Sequence, residues 1–177
     1  MKKKILYDLQ FGFRGGHSTN MALITLVDKI ASSLNDGEYV LGVFLDFSKA
    51  FDCVNHSILL KKLEHYGIRG EALMWFDSYL SFRQQYVHYS GVDSCFNDIV
   101  CGVPRGSILG PLLFLLYIND ISHASQFLYY ILFADDSNVF LTGRNPHELA
   151  TIMNRELVKL ESWLKSNLLS LNIDKTH

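Results

Sequence analysis

Three carboxylates stand out by type and placement. Asp46 ends a compact apolar run, and the adjacent pair Asp135 and Asp136 lies between two others. Like charges gathered within a few ångströms repel unless a cation lies between them. Carboxylate oxygens are hard ligands, and with water positions left open they suit Mg²⁺. Two such ions could activate a hydroxyl nucleophile and stabilise the pyrophosphate that leaves a nucleotide. Plainer roles fit the same residues, because Asp is a favoured turn residue and a strand-end Asp can serve as a cap. By themselves the three do not establish a function.

The elements that must position them follow from periodicity. Ser18 or Thr19 can cap a helix to about Leu34, with Leu23, Ile24, Val27, Ile30 and Leu34 on one face. Residues 39–47, with Val40, Val43 and Phe44, are predicted as a buried strand that carries Asp46 at its end. A helix is expected from about Ser57, with Gly67 at its C-terminal cap, and a second over residues 71–80. Residues 84–89 and 95–100 read as two strands around a turn at Gly91, Val92 and Asp93. An apolar helix is predicted over residues 112–121, with Pro111 near its first turn. Residues 129–133 and 138–141 form a hairpin with Asp135 and Asp136 at its tip. Asn145 caps another helix, with Pro146 at its first position and Glu148 beyond. Its apolar face is Leu149, Ile152, Met153, Leu157, Leu160 and Leu164. Alternation of Leu169, Leu171 and Ile173 with polar residues predicts a last strand. This order is that of an α+β, ferredoxin-like split β-α-β fold, an antiparallel sheet backed by helices. In that topology the Asp46 strand and the hairpin can be neighbours, which would bring the three carboxylates to one edge.

The length of 177 residues fits one domain able to bury a core, and 49% hydrophobic against 19% charged residues excludes a disordered tail. Cys53, Cys95 and Cys101 have neither paired nor metal-ligand spacing and read as free thiols. Asp8 and Gln10 interrupt the apolar start that could otherwise open a signal peptide. No stretch approaches the roughly 18–20 apolar residues of a membrane span. The expectation is an intracellular protein, nuclear or cytoplasmic, not secreted and without a membrane partner. A net charge of −2 provides no basic face of the kind that grips nucleic acid.

The residues around the carboxylates carry a resemblance. Residues 44–52, Phe-Leu-Asp-Phe-Ser-Lys-Ala-Phe-Asp, closely resemble motif A of reverse transcriptases. Residues 102–114, Gly-Val-Pro-Arg-Gly-Ser-Ile-Leu-Gly-Pro-Leu-Leu-Phe, resemble motif B and continue into Tyr-Ile-Asn-Asp at 117–120. Residues 133–136, Phe-Ala-Asp-Asp, resemble motif C, and residues 171–176, Leu-Asn-Ile-Asp-Lys-Thr, resemble motif D. Upstream, residues 10–14, Gln-Phe-Gly-Phe-Arg, with His-Ser-Thr at 17–19, resemble the block joining fingers to palm. All five occur in the order and spacing of non-LTR (LINE-type) retrotransposon reverse transcriptases, across about residues 10–176.

The resemblance implies a polymerase palm with partial fingers, the junction at about residues 1–38 and the palm over 39–177. It implies an RNA-directed DNA polymerase core that adds dNTPs to a DNA primer on an RNA template, with two Mg²⁺ ions for which Mn²⁺ can substitute. Asp46, Asp135 and Asp136 would be metal ligands and catalytic, with the Phe47 carbonyl completing one ion's shell. Phe47, Ser48, Lys49, Ala50 and Phe51 would line the nucleotide, and the Phe51 ring would collide with a ribose 2′-hydroxyl. Arg105 and Gly106 would approach nucleotide and template; many relatives carry Gln where Arg105 stands. Lys175 would be the general acid that protonates pyrophosphate, and Arg14 would touch template or incoming phosphate. Asp52, Asn55 and His56 follow the family pattern but are explained by turn and helix capping.

Upstream finger segments, a thumb and an endonuclease are not recognisable in residues 1–177, so the chain is expected to be part of an enzyme, inactive alone. The competing readings are a non-enzymatic remnant of a retrotransposon and a group II intron-type reverse transcriptase. A magnesium phosphatase fits poorly, because Ser48 stands where such an enzyme needs a second Asp.

Overall fold

Local signals start and stop most of the helices and strands where the sequence places them. In the computed structural model, which describes residues 5–104 and 106–176, the Ser18 hydroxyl caps α1 (Thr19–Asn35) by accepting from the Met21 N–H. Gly37, at φ +71°, then turns the chain into β1 (Tyr39–Asp46). Asn55 caps α2 (His56–His65), and Gly67, at φ +98°, follows it. α3 spans Glu71–Leu80. Four two-residue strands come next: β2 (Gln84–Gln85), β3 (His88–Tyr89), β4 (Val92–Asp93) and β5 (Asn97–Asp98). After them lie α4 (Leu109–Ile118), β6 (Tyr129–Phe133), β7 (Asp136–Gly143) and α5 (Pro146–Ser166).

The chain contacts group into two compact units, Met1–Ala50 with Ile118–His177, and Phe51–Tyr117. The first unit is built on an antiparallel sheet of order β1-β7-β6. β7 therefore lies between β1 and β6, as a split β-α-β connection requires. On one face, Phe11, Ala22, Ile131 and Phe140 form a buried cluster, with Leu26, Val40 and Tyr129 packed on it, so α1 covers that face. α5 packs against β7 and β1. Strand alternation assigns it the opposite face, where Val139 and Leu141 meet the α5 side that buries Leu149, Met153, Leu160 and Leu164.

The second unit pairs α2 with α3 and buries Val54, Leu59, Leu63, Leu80, Leu113 and Phe114. Its strands form two short ladders, β2 with β5 and β3 with β4. The predicted pair of longer strands is thus broken in the middle. The turn falls at Ser90 (φ +50°) and Gly91 (φ +80°), one residue earlier than expected, because a two-residue hairpin loop of this type needs left-handed residues at both positions. α4 starts earlier than predicted because the Ser107 hydroxyl accepts from the Gly110 N–H at 2.9 Å. The helix gives way to a 3₁₀ turn at Asn119–His123.

The predicted last strand is not formed. Only one antiparallel bridge, Phe47 with Leu171, extends the sheet beyond β1, and Ile173–Lys175 is a 3₁₀ turn. The physical reason lies in a local turn. Antiparallel to β1, residues after Leu171 would run back along its open outer edge, but the Asn172 carbonyl accepts instead from the Lys175 N–H and the Thr176 hydroxyl, and the chain coils after one bridge. Ile173, which alternation would have buried, is 85% exposed.

α5 also buries one acid. Glu156 is fully enclosed, accepting from Lys159 Nζ at 2.7 Å, Ser125 Oγ at 2.8 Å and Arg155 Nε at 2.9 Å. The Lys159 ammonium, helped by the Ser125 hydroxyl and Arg155, overcomes the cost of burial and holds the carboxyl down to about 2. A carboxyl held below its ordinary value of 4.5 stabilises the fold above that pH and loses the effect as pH falls toward 2. Melting temperature measured against pH should therefore drop through this window. The drop should flatten in Glu156→Gln, and an unchanged profile would remove the network from the acid response.

Candidate active site

The site is assembled by strand register. β1 and β7 pair so that Asp46 lies directly opposite Asp136 and Phe44 opposite Asn138. Directly opposed residues of an antiparallel pair project from the same face, with Cβ atoms roughly 5 Å apart. β6 and β7 are joined by a two-residue turn, Ala134 and Asp135, closed by the Phe133–Asp136 pair. Asp135 therefore sits beside Asp136 at the tip, where the hairpin pattern placed it.

These carboxylates feel one another. Asp136 is pushed above the ordinary carboxylate value first by burial, then by the charges of Asp135 and Asp46. A cation is the natural relief for such a cluster. Among the described residues no three His, Cys, Asp or Glu side chains are already gathered as a metal site. The donor set is nevertheless the hard-oxygen kind that a Mg²⁺-type ion takes. Register places Asp46 and Asp136, and Asp135 would have to swing in from the turn.

A cavity of about 460 Å³ opens beside them, lined by the polar Asp46, Asp136 and Lys175 and by the apolar Ala22, Leu26 and Phe133. Lys175 reaches it from the 3₁₀ turn after Leu171. The bridge there uses the Ser48 N–H to the Ser170 carbonyl and the Asn172 N–H to the Asp46 carbonyl. It does not use the Phe47 carbonyl. Phe47 and Ala50 are buried, Ser48 is half-buried, and Lys49 is exposed with a left-handed φ of +48°.

Arg14 is engaged nearby rather than extended. Its Nη1 donates to the carbonyls of Tyr7 and Gln10, each at 2.9 Å. Sequence reasoning gave no role to Asn138, which lines the cavity, nor to Gln10 and Gly12, which touch the turn carrying Asp135. The signal for Asn138 was alternation from Asp136, two residues earlier on the same face.

In the second unit, motif A's tail and motif B are stitched by backbone. Val103 N–H donates to the Phe51 carbonyl and Gly102 N–H to that of Val54, at 2.9 and 2.8 Å. Gly102, at φ +90°, has no room for a side chain, because a Cβ would lie 2.9 Å from the Asp52 carbonyl oxygen. His56 Nε2 is 2.8 Å from the Gly102 carbonyl, which makes that imidazole a staple of the same junction. The Phe51 ring packs on Phe114 with centroids 4.4 Å apart. Gly106 takes a left-handed φ of +77°. Arg105 lies outside the described residues.

A family model described as "Reverse transcriptase (RNA-dependent DNA polymerase)" matches residues 1–177. Among curated proteins, the chain is 32% identical over 172 residues to the probable RNA-directed DNA polymerase from transposon X-element of Drosophila melanogaster, covering 95% of this chain and 19% of that one. It is 31% identical to the corresponding protein from transposon BS of the same organism, covering 99% and 20%. The chain thus spans about a fifth of the length of these relatives. Among solved structures, telomerase from Candida albicans superposes with a TM-score of 0.66 at 16% identity, over 91% of this chain and 31% of that one. Apo telomerase from Candida tropicalis superposes with a TM-score of 0.63 at 16% identity, covering 90% and 32%. Likeness at that identity shows the fold.

Proposed function

The chain belongs to the reverse transcriptase (RNA-dependent DNA polymerase) family, and from that premise we propose that it is the catalytic core that extends a DNA primer with dNTPs on an RNA template. Its relatives in the family are non-LTR retrotransposon polymerases, and it is an RNA-directed DNA polymerase by descent. The observation that carries the reading is the Asp46–Asp136 register pair, with Lys175 lining the same cavity.

In this reading Asp46, Asp135, Asp136 and the Phe47 carbonyl hold two Mg²⁺ ions, or Mn²⁺ in their place. When bound, the ions supply charge neutralisation at the primer 3′-hydroxyl and at the leaving pyrophosphate. Lys175 Nζ delivers a proton to the pyrophosphate as it departs. Residues 47–51 border the nucleotide, and Phe51 excludes a 2′-hydroxyl. Arg14 contacts nucleotide or template only if it gives up part of its hold on the Tyr7 and Gln10 carbonyls.

Positioning of primer end and triphosphate supplies much of a polymerase's rate. A net charge of −2 attracts a polyanion weakly. Residues 1–177 alone are therefore expected to extend a primed RNA template at least about 10²-fold more slowly than a full-length protein containing them. Both proteins would be run side by side with Mg²⁺ and all four dNTPs. Robust extension by the 177-residue chain would show that this core suffices. A silent full-length protein would leave the non-enzymatic remnant as the better reading.

A further inference from the structure

The turn that carries Asp135 is strained and is held from outside. Ala134 takes a left-handed φ of +55° at the first central position of a two-residue hairpin loop, a place that ordinarily favours Gly. For a residue with a Cβ this conformation is sterically unfavourable. Gln10, 2% exposed, meets it from the N-terminal block. Its Oε1 accepts from the Ala134 N–H at 3.0 Å and from the Gly12 N–H at 2.8 Å.

Two N–H donors on one amide oxygen leave no choice of flip, because an amide nitrogen cannot accept. The consequence is that Gln10 Nε2 is buried with no partner among the described residues. An orphaned buried donor destabilises the fold, a cost that an apolar side chain of the same size would avoid. The cost is tolerated at a place where the other half of the amide grips the turn.

The surrounding backbone makes this grip rigid. Phe11 N–H donates to the Leu132 carbonyl at 2.8 Å and Leu132 N–H to the Leu9 carbonyl at 2.9 Å, so the segment runs beside β6 as a short parallel bridge. Gly12 sits so close to the turn that a Cβ would lie 2.3 Å from the Ala134 nitrogen. Arg14 braces the segment through the Gln10 carbonyl.

We propose that Gln10, seated by Gly12, is a positioning residue that holds the Ala134–Asp135 turn so that Asp135 and Asp136 can close on a metal with Asp46. The proposal rests on the metal reading of that site. It is tested on the 177-residue chain by amide hydrogen exchange at Ala134 and by Mn²⁺ binding followed through the free-ion EPR signal. Gln10→Met keeps the volume and removes the acceptor, and Gly12→Ala pushes the turn away by a separate route. In both, protection at Ala134 should fall about tenfold and the apparent Mn²⁺ dissociation constant should rise at least about tenfold. Gln10→Glu retains an acceptor oxygen and should keep Ala134 protected. Ser125→Ala, which breaks the Glu156 network, should lower the melting temperature and move neither readout.

Wild-type exchange at Ala134 in Gln10→Met, or faster exchange with unchanged Mn²⁺ affinity, would overturn the clamp while leaving the metal site standing. A wild-type chain that takes up no more Mn²⁺ than Asp136→Asn would bring down the metal reading and the clamp's purpose with it. The wild type's silence separates that failure from the first.

Discussion

Asp136→Asn is expected to abolish primer extension by the full-length protein and yet to raise the melting temperature of residues 1–177 when no divalent ion is present. The first effect follows from losing a ligand that anchors transition-state charge, a loss of several kcal/mol and hence about 10³-fold or more in rate. The second follows from repulsion. Burial, Asp135 and Asp46 hold the Asp136 carboxyl above its ordinary value of 3.8. A carboxyl raised in the folded state opposes folding at neutral pH, and the fold gains stability as pH falls through the raised value toward 3.8. The asparagine lacks that step. Solvent screens this exposed side chain, so the gain is on the order of a few tenths of a kcal/mol, about 1 °C for a chain of this size. Adding Mg²⁺ should stabilise the wild type and leave the variant unmoved. Primer extension and melting curves with and without Mg²⁺ are the measurements. A variant that still extends primers, or melts lower than the wild type without metal, would remove Asp136 from the role. The sign is opposite to that of Glu156, whose charge is paired and whose loss on acidification weakens the fold.

Phe51→Val in the full-length protein should relax sugar selection. A ring that collides with a 2′-hydroxyl discriminates by steric exclusion, and shortening it should narrow the dNTP-to-NTP ratio of kcat/KM by roughly 10–100-fold. The gain should come mainly from faster use of ribonucleotides. Some cost on deoxynucleotides is expected as well, because the ring packs against Phe114 at 4.4 Å. Losing that half-buried contact weakens the second unit by about 1–2 kcal/mol. Single-nucleotide extension with matched dNTP and NTP measures both effects. An unchanged ratio with slower dNTP use would mean that Phe51 only supports the packing of this segment.

Much of the architecture is local in origin and so was legible in the chain itself. Ser18, Asn55 and Asn145 cap the helices predicted to start beside them, because a cap needs only a side chain and an N–H two or three residues away. The tip of the hairpin, with Asp135 and Asp136, follows from two apolar runs and a short gap. The order of strands and helices then selected the split β-α-β topology. The motif residues identified the family, whose model matches residues 1–177.

Local patterns miscarried where a neighbour decided the outcome. Leu169, Leu171 and Ile173 alternate as a strand would, but the Asn172 carbonyl accepts from the Lys175 N–H and the Thr176 hydroxyl, and that turn takes the chain off the open edge of β1 after one bridge. Glu156 falls on the apolar face of α5, where spacing alone would put an aliphatic residue; it is buried because Ser125, Arg155 and Lys159 meet it there.

Sequence alone determined which residues carry charge, where the capped helices begin, and that Asp46 and the Asp135–Asp136 pair end up at strand ends. Only the tertiary structure decided that Asp46 faces Asp136 directly, that Lys175 enters the same cavity, and that Gln10 grips Ala134 from 124 positions away. Periodicity records which face an isolated element buries. It carries no record of register between strands ninety residues apart, nor of one amide oxygen accepting from two distant N–H groups. Those contacts depend on how packed elements slide against one another, and their free energy exists only once the sheet has formed.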